Sequence, residues 1–209
     1  MAFKQTIKGV SGSASTNVIT SLSDGPNPAI KKMNSDLFIM TYGSFVTQLM
    51  KDFENDEEVN KQLDKIGYNI GIRLIDDLIA RSLSTSTPII NKCHDMKETA
   101  DVLSKIGFKT YLNIVPTITN FIVGANGYQE FSLVFEYNPL ADYVEIPDGK
   151  HDKLSYSNVI CGIIRGALEM MQLETSVYFV QDTLRGNSTN EIKVKLLRKI
   201  EDSMPASED

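Results

Sequence analysis

The chain has 209 residues, 42% of them hydrophobic, with a formal net charge of −6 and a pI of about 5.0. That length suits one domain with a sizeable core, and the acidity excludes a general nucleic-acid binder, which needs a basic face for phosphates. No apolar run reaches the length of a membrane span, and two cysteines without a signal peptide point to reduced thiols in the cytosol, not a disulfide framework.

Residues 1–33 are rich in Ser, Thr, Asn, Gly and Pro, with four lysines against one aspartate. Such a stretch buries too little apolar surface to offset its ordering entropy, so a disordered leader is expected. Order is expected from Asn34. A first helix over Leu37–Phe53 is apolar on nearly every face: Phe38, Tyr42, Phe45 and Leu49 line one, and Ile39, Val46, Met50 and Phe53 another. That pattern predicts burial on several sides. Asn55 with Glu58 three residues on reads as a capping box for a second helix. Val59, Leu63, Ile66, Ile70, Leu74 and Leu78 then recur at steps of three or four until the Ser-Thr-Ser-Thr-Pro break after Leu83.

A third helix starts at Asp95, with Met96, Ala100, Leu103, Gly107 and Tyr111 predicted on one side and Pro116 marking its end. The period then changes. Thr117–Val123 is β-branched and aromatic, Gly124 and Gly127 turn the chain, and Phe131, Leu133, Phe135 and Tyr137 alternate as a second strand. Ser157 is placed to cap a fourth helix with the wide stripe Val159, Ile160, Ile163, Ile164, Ala167, Leu168 and Met171. Two strands follow, near Thr175–Thr183 and around Ile192, Val194 and Leu196, joined by Arg185-Gly186-Asn187. The polar stretch 201–209 reads as a tail. Three helices, a hairpin, a helix and a hairpin (ααα-ββ-α-ββ) predict an α+β fold with helices on a twisted antiparallel sheet of about four strands. The domain is placed at 34–200.

Chemistry-bearing residues are few. Cys93 and His94 adjoin, and neighbouring side chains rarely point at each other, which argues against a catalytic pair. Two cysteines and two histidines without paired spacing are a poor zinc set. Cys161, inside an apolar helix, reads as a core thiol. Cys93 lies two residues before the Asp95 cap, where helix N-termini favour thiolates, although Asp95 works against this. A reactive thiol at a helix mouth suits acylation or catalysis, so both stay open on the residues alone. Gly67-Tyr-Asn-Ile-Gly71 and Gly162-Ile-Ile-Arg-Gly166 share a small-residue spacing, read here as close packing inside the domain rather than a lipid-embedded dimer motif.

An ordered set of segments resembles one family. It comprises Met40-Thr-Tyr-Gly-Ser-Phe-Val-Thr-Gln-Leu49, Gly67-Tyr-Asn-Ile-Gly-Ile-Arg-Leu-Ile-Asp76, Lys92-Cys-His-Asp95, Ile118-Thr-Asn120 and Phe131-Ser-Leu133. Asn138-Pro-Leu-Ala-Asp142, Gly166-Ala-Leu-Glu-Met170 and Phe179-Val-Gln-Asp182 complete it. Together they resemble the Bet-three subunits of the transport protein particle, TRAPP, from about residue 34 to the C-terminus. The leader lies outside the pattern, the Ser82–Lys92 loop looks longer than usual, and Phe121 stands where the family usually has Trp.

The resemblance implies a non-catalytic subunit of a vesicle tether between endoplasmic reticulum and Golgi, cytoplasmic and peripheral at those membranes. It implies a homodimer in isolation, pairing with related small TRAPP subunits, and no metal. It further implies part of a guanine-nucleotide exchange surface for a Rab-type GTPase, contacted by the tail residues Met204, Pro205, Ala206, Ser207, Glu208 and Asp209. The family's cysteine in Lys-Cys-His-Asp carries palmitate by thioester, with the chain in a channel inside the domain. Cys93 matches that cysteine, and Leu103, Gly107 and Tyr111 are the expected channel residues. A stand-alone lipid-binding or acyl-carrying protein is the alternative, and a thiol hydrolase a third.

Overall fold

A computed structural model describes residues 34–83, 95–146 and 149–200. The leader 1–33, the Cys93–His94 pair, most of the Ser82–Lys92 loop and the tail 201–209 lie outside the described residues. Helix α1 (Ser35–Asp52) starts where the Asn34 side chain accepts the Leu37 N–H at 3.1 Å. It buries a single narrow stripe, Ile39, Tyr42 and Val46. The Tyr42 hydroxyl donates to the Tyr156 carbonyl at 2.5 Å, and the two rings meet edge to face at 5.3 Å. The expected burial on several sides does not occur in the single chain. Leu37 (62%), Met40 (61%), Phe38 and Phe45 stay exposed, because only α1's inner side meets the domain.

Helix α2 (Asp56–Leu83) ends at the residue the sequence indicates. Its cap is half of the expected box. Asn55 accepts the Glu57 N–H at 2.9 Å, but the Glu58 carboxylate turns along the helix to Lys61 and Gln62 instead of reaching back. Asp95 caps α3 (Met96–Val102) through the Glu98 N–H at 2.7 Å. The rod then continues as a π-helical stretch (Leu103–Phe108) and α4 (Lys109–Leu112). It stops three residues before the expected Pro116 neighbourhood because Asn113 turns left-handed (φ 55°), a backbone state that suits Asn at a helix end. Helix α5 (Asn158–Met170) follows Ser157, whose side chain does not cap it. That hydroxyl is taken by the Asn138 side-chain amide at 2.8 Å.

Strands β1 (Thr117–Val123), β2 (Gln129–Phe135), β3 (Leu173–Gln181) and β4 (Asn190–Lys199) form one antiparallel sheet in the order β1-β2-β4-β3. The two-residue side-chain period puts Phe131 opposite Val194 and Leu133 opposite Ile192, all fully buried on the helix side. Ser132, Lys193 and Tyr178 form a row on the other face. Three strand bounds shift from expectation: β2 closes at Phe135, leaving Tyr137 half exposed, and β3 opens at Leu173 and closes at Gln181. A bulge in β1 holds Asn120 at φ 51° and re-aims the following residue. Phe121 thereby stacks on Phe131, centroids 6.3 Å apart.

The paired glycines lock α2 onto α5. A Cβ added at Gly67 would lie 2.1 Å from the Val159 carbonyl oxygen, and one at Gly162 would lie 2.1 Å from that of Asp64. Gly71 and Gly166 face Ile163 and Tyr68 backbone in the same way. Arg165 bridges the crossing, 2.5 Å from the Asp64 carboxylate and over the Tyr68 ring at 4.5 Å.

At the end of β3, Asp182 is buried. One carboxylate oxygen accepts the Leu184 N–H at 3.0 Å, and the other has no hydrogen-bond partner. Burial pushes its carboxyl up from the usual range. A raised folded-state pKa means the fold favours the protonated form. The associated stability is present below the unfolded-state value and lost as pH rises through the folded one. Asp182→Asn is therefore expected to raise stability at pH 7, with the gain shrinking as pH approaches the carboxylate range. Denaturant unfolding of both proteins across that range checks it; a gain that grows on acidification would contradict the assignment.

Candidate functional site: the mouth and inner face of the third helical rod

The rod 96–112 lies over β1 and β2, and Cys93, outside the described residues, precedes it in sequence. Two residues separate that cysteine from the Met96 turn. Met96 and Ala100 are buried in the main core, with Phe108 and the partly buried Leu103 and Leu112 packed into the same cluster. Val102 and Ile106 instead join a second cluster with Ile75, Leu78 and Ala167. One rod thus serves two cores. The π stretch, with its wider i→i+5 turn, then shifts the residues after Leu103 around the axis relative to a regular α-helix.

That shift separates residues expected on one side. Leu103 faces the main core, whereas the Tyr111 hydroxyl reaches α2, 2.8 Å from Asp77 and 3.2 Å from the Leu74 carbonyl. Asp77 also accepts from Arg81 at 2.6 Å, and that bond is the main cause holding its carboxyl below the usual range. Burial, followed by the bond to Asp77, pushes the Tyr111 phenol far up, so it stays a neutral donor. Gly107 sits inside the π stretch, half-buried, and a Cβ there would meet only the Val102 carbonyl oxygen, at 3.9 Å. Unlike the glycines of α2 and α5, it is not required by a close neighbour. Ser104, fully buried, donates to the Pro116 carbonyl and ties the rod to the start of β1.

The other reactive side chains lie elsewhere. Cys161 is buried in α5, and desolvation pushes its thiol far up, which makes it a poor nucleophile. His151, in the loop before α5, pairs through Nδ1 with Asp56 at 2.7 Å. It borders an open cavity of about 370 Å³ lined by Glu54, Asn55, Asp56, Lys150 and Lys153. Among the described residues, no three His, Cys, Asp or Glu side chains converge on a metal position, and no helix is long and apolar enough to cross a membrane. The π stretch and the β1 bulge were not anticipated from the sequence, because single residues such as Gly107 and Asn120 carry no distinct signal for them.

Comparison with known proteins places this architecture. Residues 38–195 match the family described as transport protein particle (TRAPP) component. The chain is 48% identical over 180 residues to trafficking protein particle complex subunit BET3 of Saccharomyces cerevisiae, covering 86% of this chain and 89% of that protein. It is 47% identical over 180 residues to trafficking protein particle complex subunit 3 of Dictyostelium discoideum, covering 86% and 92%. Among solved structures, a trafficking protein particle complex subunit 3 from Naegleria fowleri covalently bound to palmitic acid superposes with a TM-score of 0.73 at 40% identity. That match covers 82% of this chain and all of the other. A family match across most of the chain, close relatives of nearly the same extent and a shared two-layer fold lead to one conclusion: this chain belongs to the TRAPP component family, as a subunit of the Bet3 type.

Proposed function

We propose that the chain is a non-catalytic core subunit of a TRAPP vesicle tether, acting between endoplasmic reticulum and Golgi, with a palmitoyl group held as a thioester on Cys93. The observation that carries the acyl assignment is the palmitate covalently held by the Naegleria fowleri relative, 40% identical with the same fold. The place of Cys93 in the sequence supports the reading. In the sequence that thiol stands just ahead of the Asp95-capped rod, whose inner side is apolar at Met96, Ala100 and Leu103, a surface of the kind an acyl chain prefers. Gly107, 14 residues after Cys93, leaves room beside the rod. The thioester forms when the Cys93 sulfur displaces the carrier thiol of an acyl thioester donor, the proton passing to that leaving thiol. Intact mass before and after hydroxylamine, on wild type and Cys93→Ser, tests the reading. A palmitoyl mass increment lost with hydroxylamine is expected for wild type and absent from the variant. An unmodified wild type purified from its own cells would reject it.

Assembly and exchange belong to the same reading. The subunit pairs with related small TRAPP subunits and with itself, and contributes to an exchange surface for a Rab-type GTPase. The uncovered apolar side of α1, with Leu37 and Met40 more than half exposed, supports pairing. Sedimentation at micromolar concentration is expected to show dimer, and a monomer throughout would count against it. Exchange needs only destabilisation of bound nucleotide, so no bond-making residue is required. Deleting Pro205–Asp209, which follow the last strand, is expected to slow nucleotide release by the assembled complex while leaving thermal unfolding unchanged. Equal release rates with and without the tail would exclude that contact.

A further inference from the structure

The helices cover one face of the sheet, and the other departs from the polar face that a solvated antiparallel sheet usually shows. Strand register fixes its make-up. One row runs Thr119, Ser132, Lys193 and Tyr178, and the next runs Ile122, Glu130, Lys195 and Ser176. Ile122, Tyr178 and Leu197, two residues on from Lys195, are exposed apolar groups around a charged centre. In that centre Lys193 and Lys195 approach the Glu130 carboxylate at 3.5 and 3.8 Å, and Lys195 stands over the Tyr178 ring at 5.5 Å. The carboxylate lies beneath: its side chain is 8% exposed, against 23% and 33% for the two lysines. The face therefore presents two ammonium groups above one buried carboxylate, on a chain whose net charge is −6.

In three-layer folds a sheet face with apolar groups is buried by a helix. Spacing selects what such a helix must carry. Side chains two apart on a strand stand about 7 Å from each other, so Lys193, Lys195 and Leu197 form a line along β4. Residues four apart on a helix rise about 6 Å, so positions i, i+4 and i+8 follow that line. We propose that this face docks an amphipathic helix of a partner protein, with carboxylates at i and i+4 and an apolar residue at i+8. The carboxylates meet Lys193 and Lys195 and complete the pairing that Glu130 alone leaves half made. The apolar residue meets Leu197, and flanking apolar side chains cover Ile122 and Tyr178. A lipid surface fits less well, because these apolar groups lie on a flat sheet and Glu130 already offsets part of the lysine charge. The inference is independent of acylation, exchange and pairing through α1, whose buried stripe packs into the core on the opposite side of the sheet.

Titration of the full chain with a synthetic helical peptide tests it, read by amide chemical shifts. The peptide has about 18 residues, enough for an isolated helix, and carries glutamate at i and i+4 and leucine at i+8. A control peptide has lysine in place of both glutamates. The glutamate peptide is expected to shift Ser132, Tyr178, Lys193 and Lys195, and the control to leave them in place. Lys193→Gln/Lys195→Gln is expected to weaken binding about tenfold, and Glu130→Gln to tighten it about threefold by removing the competing carboxylate. The opposite signs keep the test valid if one variant is less stable, which thermal unfolding reports. No binding at about 1 mM peptide, equal binding of the control peptide, or binding indifferent to both variants overturns the proposal. Shifts on this face that grow with protein concentration alone overturn it too, because a second copy would then be the cover. So does binding of phosphatidylserine vesicles through the same lysines with no response to the peptide.

Discussion

Gly162→Ala is expected to lower the unfolding free energy by about 3 kcal/mol or more, although alanine is the better helix former by about 1 kcal/mol. The added methyl would sit 2.1 Å from the Asp64 carbonyl oxygen and 2.9 Å from the Tyr68 backbone nitrogen. Both atoms belong to a helical backbone, which cannot rotate away like a side-chain tip. The helices must therefore separate, and separation strips contacts from Val159, Leu63 and Ile164, all at least nine-tenths buried. Gly67→Ala should cost a similar amount, since its methyl meets the Val159 carbonyl at 2.1 Å. The double variant should cost less than the two single effects together, because both widen the same crossing. Gly107→Ala is the matched control and is expected to stay within about 0.5 kcal/mol of wild type or gain stability. Denaturant midpoints at constant slope measure all four. A Gly162→Ala protein as stable as wild type would mean that α2 and α5 can part at no cost.

Gly107→Leu is expected to abolish most acylation at Cys93 while the protein stays folded. The first carbon of the new side chain fits, since only the Val102 carbonyl lies within 4 Å, at 3.9 Å. The rest must occupy the space beside the π stretch. A helical rod rises about 1.5 Å per residue, so Gly107 stands about 17 Å along the rod from Met96. An extended acyl chain spans about 15 Å, half of a bilayer core, and would end near this position if it follows the rod. A leucine there would then plug the far end. Intact mass beside thermal unfolding, for wild type, Gly107→Leu and Cys93→Ser, distinguishes a blocked channel from an unfolded domain. A folded, fully acylated Gly107→Leu protein would show that the chain takes another path. Tyr111, whose hydroxyl is committed to Asp77 on α2, provides a second probe. Tyr111→Phe should leave acylation intact if the path stays on the Leu103 side of the rod.

Element order and type were legible because they rest on local rules. The β-branched run Thr117–Val123 became β1 with the same bounds, and the Ser-Thr-Ser-Thr-Pro break follows the last residue of α2. The Asp95 cap was readable from one side chain and its distance to Glu98. Caps that depend on distant partners were not. Ser157 has the right identity, yet Asn138, 19 residues earlier, claims its hydroxyl. Glu58 has the right spacing for a box, but Lys61 and Gln62 offer it partners along the helix. Within the single chain α1 buries only Ile39, Tyr42 and Val46, because apolar periodicity does not say how many neighbours will cover a helix.

By itself the sequence determined the α+β class, the four strands, the starts of the second, third and fourth helices and the segments that resemble the Bet3-type subunits, including the cysteine ahead of Asp95. These follow from side-chain period, turn chemistry and capping, each of which acts over a few residues. The tertiary structure alone decided that β4 lies between β2 and β3, that two glycine pairs bring α2 and α5 into backbone contact, and that the rod turns π-helical at Leu103. It also decided that Tyr111 faces α2 while Leu103 faces the sheet. Each of these depends on which surfaces compete for the same space. A one-residue change in helical phase costs little locally, and it is settled only when Val102 and Ile106 find one core and Leu103 and Phe108 find the other.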